Sequence, residues 1–215
     1  MSCALCKLRK EKRFCPAVHD KICPVCCGQE REVSLDCPSE CVYLQEARKH
    51  ERRGLKDLPR EALFPQVEVR EQFLYEREPL LTGLSFALAK AARADRTLYD
   101  NDLIVAISAF AQQRQTLVNS GLHVGGASMS PVQQTIINGI EAMLAEYRAM
   151  EQKHMGYSSL RDSEVLQSLV FLVRMAYART SGRPRSRAFV DFLCERFAEQ
   201  NDSIAAPQGS SIVIP

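Results

Sequence analysis

The sequence predicts a mainly α-helical protein in which a small cysteine-built module precedes an antiparallel helical bundle. Three observations carry this expectation. Eight of the nine cysteines fall between Cys3 and Cys41. From Pro79 to about residue 199, apolar residues recur at helical spacing. Strand signals in that stretch are weak. With 46% hydrophobic and 25% charged residues, the 215-residue chain has an ordinary globular composition, which excludes a wholly disordered chain or a fibrous repeat.

Composition divides the chain into four parts. Residues 1–50 hold the cysteines, with lysine and arginine between them. Residues 51–78 form a charged connector with Pro59, Pro65 and the apolar pairs Leu63-Phe64 and Phe73-Leu74, partly helical and laid against a neighbour. Residues 79–199 form the bundle. Residues 200–215 are small and polar, interrupted by Pro207 and Gly209, and read as a flexible tail.

Five helices account for the bundle. Pro79 suits a first turn and is followed by Leu80, Leu81, Leu84 and Leu88 on one face. Asp100 or Asn101 can cap a second helix through Leu103, Ile107 and Phe110, ending at Gly121. Ser130-Pro131-Val132-Gln133 is a capping box that opens a third, through Ile136, Ile140 and Leu144, to Gly156. A fourth runs from about Arg161 to Thr180. Ser186 can cap a short fifth with Phe189, Val190, Leu193 and Phe197. Short loops between such helices give an antiparallel bundle.

The ligand-capable residues of the first part are Cys3-x2-Cys6, Cys15-x3-His19, Cys23-x2-Cys26 with Cys27 adjacent, and Cys37-x3-Cys41. Each pair can grip one side of a tetrahedral ion. Zinc takes four thiolate or imidazole ligands in a closed structural site. Four pairs therefore supply two zinc ions per chain, with either Cys26 or Cys27 to spare. Disulfides compete poorly, because an intracellular chain keeps its thiols reduced and cysteines two residues apart bridge with strain. Residues 1–50 have few large apolar side chains, so metal binding replaces a core. Gly28 permits a turn after the Cys23-Pro-Val-Cys26 pair. Ser39 can cap a helix that starts beside Cys41.

The pairs can be joined sequentially, nested or interleaved. Interleaving, first with third and second with fourth, leaves loops of similar length. The opening Cys3-x2-Cys6, the close run from Cys15 to Cys27 and the final x3 pair on a helix resemble the cross-brace zinc modules of the MYND and HIT type over about residues 3–45. The histidine lies in the second pair here instead of near the end. Cys23-Pro-Val-Cys-Cys-Gly28 with Cys37-Pro-Ser-Glu-Cys41 is also similar to the start of uncharacterised Cys-rich bacterial proteins. The cross-brace resemblance implies an interaction or assembly role.

Lys7, Arg9, Lys10, Lys12 and Arg13 make the first loop basic, and residues 1–60 hold 13 Lys and Arg against 9 Asp and Glu. Metallated thiolates lower that excess of +4 to about +1. Much of the basic character is then local compensation. A second basic run, Arg179 to Arg187, reads as an exposed interhelix loop, and the Gly121–Ala127 run as a helix connector. Glu151-x2-His154 reads as a surface pair and Cys194 as a small core residue. No catalytic constellation is present. No apolar run is long enough to span a bilayer, and the N-terminus has no apolar signal region. The expectation is a cytoplasmic, non-enzymatic adaptor or regulator that binds a protein partner. A nucleic-acid-associated factor using the basic loops is the alternative, and a thiol redox sensor the second.

Overall fold

The computed structural model describes residues 2–51, 58, 60–121 and 129–199. The tail at 200–215, the run from Leu122 to Ala127 and the charged stretch Arg52–Asp57 with Pro59, for which the sequence carries expectations, lie outside the described residues. Among the described residues the chain is mainly helical, with eight α-helices and one two-stranded sheet.

The cysteine-rich part begins with a hairpin that periodicity does not announce, because its strands are too short to show alternation. β1 (Arg13–Cys15) pairs antiparallel with β2 (Asp20–Ile22), Arg13 opposite Ile22 and Cys15 opposite Asp20. α1 (Pro24–Glu30) follows at once, with Pro24 in its first turn, where a missing N–H costs nothing. Gly28 makes no turn; the helix runs through it, and the chain bends at Glu32, whose φ is 53°. α2 (Val42–His50) starts later than expected, with Cys41 in the capping position. Ser39 instead offers its carbonyl to the Gln45 side chain.

The remaining helices fall close to where the sequence pattern places them, although neither Asp100 nor Ser186 is the N-cap of the helix it is expected to open. They are α3 (Glu71–Glu76), α4 (Glu78–Ala94), α5 (Asp100–Ser120), α6 (Pro131–Met155), α7 (Asp162–Arg179) and α8 (Ala188–Arg196). The α6 capping box forms as read, with Ser130 and Gln133 bonded reciprocally at 3.1 and 3.2 Å. Gly121 and Gly156 end α5 and α6 at φ 69° and 80°, a conformation that side-chain-bearing residues rarely take. α5 packs on α7 and α6, while α4 packs on α6 and α8. Leu84, Leu103, Ile107, Phe110, Ile140 and Leu169 are among the fully buried residues of the shared core. No helix among the described residues is long and apolar enough to cross a membrane.

Three polar residues act differently from their sequence reading. Asp100 does not cap its own helix. It is fully buried, and its Oδ1 accepts from the N–H groups of Phe189 and Val190, 3.0 Å each, at the start of α8. It therefore caps a helix nearly ninety residues away, and Ser186 supports it by donating to Oδ2 at 2.7 Å. Glu151 is no surface residue, since its side chain is only 10% exposed. It accepts from the Ser158 and Ser159 hydroxyls and from the Ser159 and Leu160 N–H groups, tying down the turn into α7. His154 is exposed and takes no part.

The described end of the connector belongs to the bundle. Phe64 and Val67 lie in its core. Arg174 of α7 donates to the carbonyls of Leu63, Phe64 and Val67 at 2.8–2.9 Å.

The run from Arg179 to Arg187 is the seat of the cysteine-rich part rather than a free loop. Arg183 donates to the carbonyls of Gly28 and Arg31, at 2.9 and 2.7 Å, closing the C-terminal end of α1. The Arg185 N–H donates to the Glu32 carbonyl, and its guanidinium reaches Asp36 at 2.7 Å. Glu32 is buried, held by Arg48 at 2.9 Å and the Ser181 hydroxyl at 2.7 Å. Arg48 also bonds Asp191 of α8. The two apolar clusters are distinct, and the seam between them is polar.

Candidate metal centre

The ligands of the first site come from two tight turns. The Lys7 N–H donates to the Cys3 carbonyl at 2.8 Å and the Cys3 N–H to Arg9 at 2.8 Å, which folds the chain back between Cys3 and Cys6. Lys7 completes that turn at φ 54°. Cys23 precedes Pro24 and caps α1, so Cys23 and Cys26 lie on one helical turn. The Cys23 N–H donates to Cys3 Sγ at 3.1 Å, and the Cys26 N–H to Cys23 Sγ at 3.4 Å.

These turns bring the sulfurs of Cys3, Cys6, Cys23 and Cys26 within 4.8 Å of one another. A tetrahedral ion with thiolates at about 2.3 Å needs sulfurs about 3.8 Å apart. Cys6 and Cys23 stand at 4.0 Å. The set therefore fits a metal ion, and it joins the first cysteine pair to the third, as interleaving requires. Among the described residues, this is the one group of Cys, His, Asp or Glu ligand atoms gathered so closely.

The electrostatics of the cluster also call for a cation. Burial pushes the Cys3 thiol up, but the backbone N–H groups of Cys6, Cys23 and Leu5 outweigh it and bring it down to about 6. At Cys26, burial and then its bonds to the other three sulfurs push the thiol up to about 12. Four thiolates cannot share so small a volume without positive charge. A metal ion supplies that charge and displaces the remaining protons. Arg9, beside Cys23, adds a neighbouring positive charge and is itself held more firmly in its charged form.

The other ligand-capable residues divide. Cys27 follows Cys26 on α1, so its side chain leaves the helix about 100° away and faces a different neighbourhood. It lines a cavity together with Cys15, Cys37 and Cys41. Cys15 and Cys27 are buried, and Cys37 and Cys41 are partly so. Burial pushes the Cys37 thiol up; the Glu32 N–H opposes this, and the nearby Cys15 and Cys41 add to it. His19 sits exposed in the β1–β2 turn at φ 55° and is not in the cluster. Cys194 packs against the bundle core, with burial raising its thiol, as a small core residue should. The signal for separating Cys26 from Cys27 was the helix itself, which directs adjacent residues to different sides.

The first site is thus a four-cysteine centre able to hold a metal ion, seated by a polar seam on a helical bundle. No protein-family model, curated protein or solved structure matches the chain.

Proposed function

We propose that the protein is a zinc-dependent adaptor, a binuclear zinc module carried on a helical bundle that binds a protein partner in the cytoplasm and performs no chemistry of its own. The observation that carries this reading is the closed set of Cys3, Cys6, Cys23 and Cys26. Sulfurs this close suit one ion and leave no room for the several atoms of an iron–sulfur cluster. Thiolate donors favour zinc among the common divalent ions. Four protein ligands complete its tetrahedron, so no position remains for a reacting water. The metal then has a structural task, and the module takes two ions in all.

A rigid surface for a partner is what such a task provides. Leu8 is 88% exposed and Phe14 56% exposed, both in the segment between Cys6 and Cys15. Exposed Lys7, Arg9, Lys10 and Lys12 surround them in sequence. Large apolar side chains held out by ligand-anchored turns, with basic neighbours, suit a protein segment that is apolar and acidic.

The test compares affinity capture by the full chain with that by the double variant Leu8→Glu, Phe14→Glu, after checking that both hold the same zinc. The expected result is a captured protein that the variant loses. Capture unchanged by the variant overturns the surface. Generic DNA or RNA binding that weakens steeply with salt would instead favour a phosphate-binding role for the same lysines. Zinc release under mild peroxide would favour a redox sensor.

A further inference from the structure

We infer that the cavity bounded by Cys15, Cys27, Cys37 and Cys41 is a second metal site of four thiolates, with His19 outside it. The inference rests on the metal reading of the first cluster and names the ligands of a second ion. After Cys3, Cys6, Cys23 and Cys26 are assigned, these four are the cysteines left in the module, and all four line the same cavity. They arrive from four separate places: the end of β1, the middle of α1, the loop after it and the capping position of α2. Cys41 makes no side-chain cap bond there, so its sulfur is free of that duty. A thiolate at a helix N-terminus also meets the positive end of the dipole.

The lining is mostly apolar. Ile22 and Leu44 are buried against the cavity, with Leu35 and Tyr43 also among its lining residues. Two arginines supply the charge argument. Arg13 approaches Cys27 Sγ at 3.7 Å while lying over the Tyr43 ring at 4.5 Å. Arg31 also lines the cavity, is buried, and has its Nε without a hydrogen-bond partner. Arg31 pairs with Glu51 through Nη2, so the groups that a negative site would serve are the Arg13 guanidinium and the unpartnered Nε of Arg31. Four thiolates around a divalent ion carry a net −2, which gives both of these groups a negatively charged neighbour.

This assignment differs from spacing alone, which pairs His19 with Cys15. The hairpin turn sends His19 to solvent, and Cys27 takes the fourth position. Neither Cys26 nor Cys27 is then spare. The second pair and the fourth still meet across the module, but the second gives only Cys15.

Full-length protein, stripped of metal under reducing conditions and titrated with cobalt(II), tests this. The expected result is two ions per chain in the wild type, both with visible spectra of four-thiolate sites. His19→Gln should keep both ions and both spectra, and Cys27→Ser should keep one ion. Loss of an ion or a spectral change in His19→Gln overturns the assignment, and so does retention of two ions by Cys27→Ser. Should Cys27→Ser fail to fold, the wild type and His19→Gln still decide. A wild type that holds one ion removes the second site and leaves the first, whereas one that holds none removes both.

Discussion

The two halves of this molecule solve the same problem with different materials. The bundle buries Leu84, Leu103, Ile107, Phe110, Ile140 and Leu169 against one another. The N-terminal part has a core cluster made mostly of cysteine; its fully buried aliphatic side chains are Ile22, in that cluster, and Leu44 of α2. Apolar area stabilises at about 25 cal/mol per Å². On the proposed reading, a module with so little of it depends on the bonds that deprotonated sulfur makes to a metal. Because the seam between the halves includes hydrogen bonds and ion pairs, each half is expected to keep its own source of stability.

Cys23→Ser should separate the two halves most strongly. It removes a candidate thiolate ligand and little else, because serine at this N-cap can still accept from the Cys26 N–H. Metal binding to a small module contributes on the order of 10 kcal/mol, so the N-terminal part should unfold while the bundle retains its helical signal. Cys194→Ser, in the bundle, should leave zinc content unchanged. Circular dichroism with elemental analysis reads both.

Asp100→Ala sharpens the comparison from the other side. It leaves two N–H groups at the start of α8 without their buried acceptor, at a cost of about 2–4 kcal/mol. The thermal midpoint of the bundle should fall, and the zinc content should not.

Glu151 gives the bundle a pH dependence of known sign. Burial raises its carboxyl, but the Ser158 and Ser159 hydroxyls and the Leu160 and Ser159 N–H groups overcome this and hold it below its ordinary value. Its stabilisation is therefore complete above the unfolded-state pKa and is lost as pH falls through the folded-state one. Glu151→Gln should flatten the acid side of the bundle's stability profile. A profile unchanged from wild type would contradict the assignment.

Arg183→Ala should have the smallest effect, about 1–3 kcal/mol, because it removes two bonds at the seam and no core contact. Both halves should remain folded, with faster proteolysis near Glu51, which Arg183 approaches at 3.6 Å. Unfolding of either half would show that the seam is more than a docking surface.

What was legible in the sequence follows the range of the interactions. The α6 capping box, the terminal glycines of α5 and α6 and the pairs Cys3-x2-Cys6 and Cys23-x2-Cys26 rest on local spacing, and the structure has them, whereas spacing leaves open which pair joins which. The roles of Asp100, Glu151 and Arg183 were not legible, because each serves atoms set beside it only by the packed fold. Cys27 was ambiguous until α1 was known to be a helix through both cysteines. The basic run from Arg179 to Arg187 looked like a surface loop because charge density is visible in sequence and its carboxylate and carbonyl partners, Asp36, Glu32 and Gly28, are not.

On the proposed reading, metal is the core of one half and apolar packing the core of the other. Amide hydrogen exchange on the full chain, before and after metal is removed under reducing conditions, tests it most directly. Removal should abolish protection from Cys3 to Glu51 and loosen Thr180 to Arg187, while α4, α5, α6 and α7 keep theirs. Loss of protection throughout α4 to α7, or an N-terminal part that stays protected without metal, would contradict it.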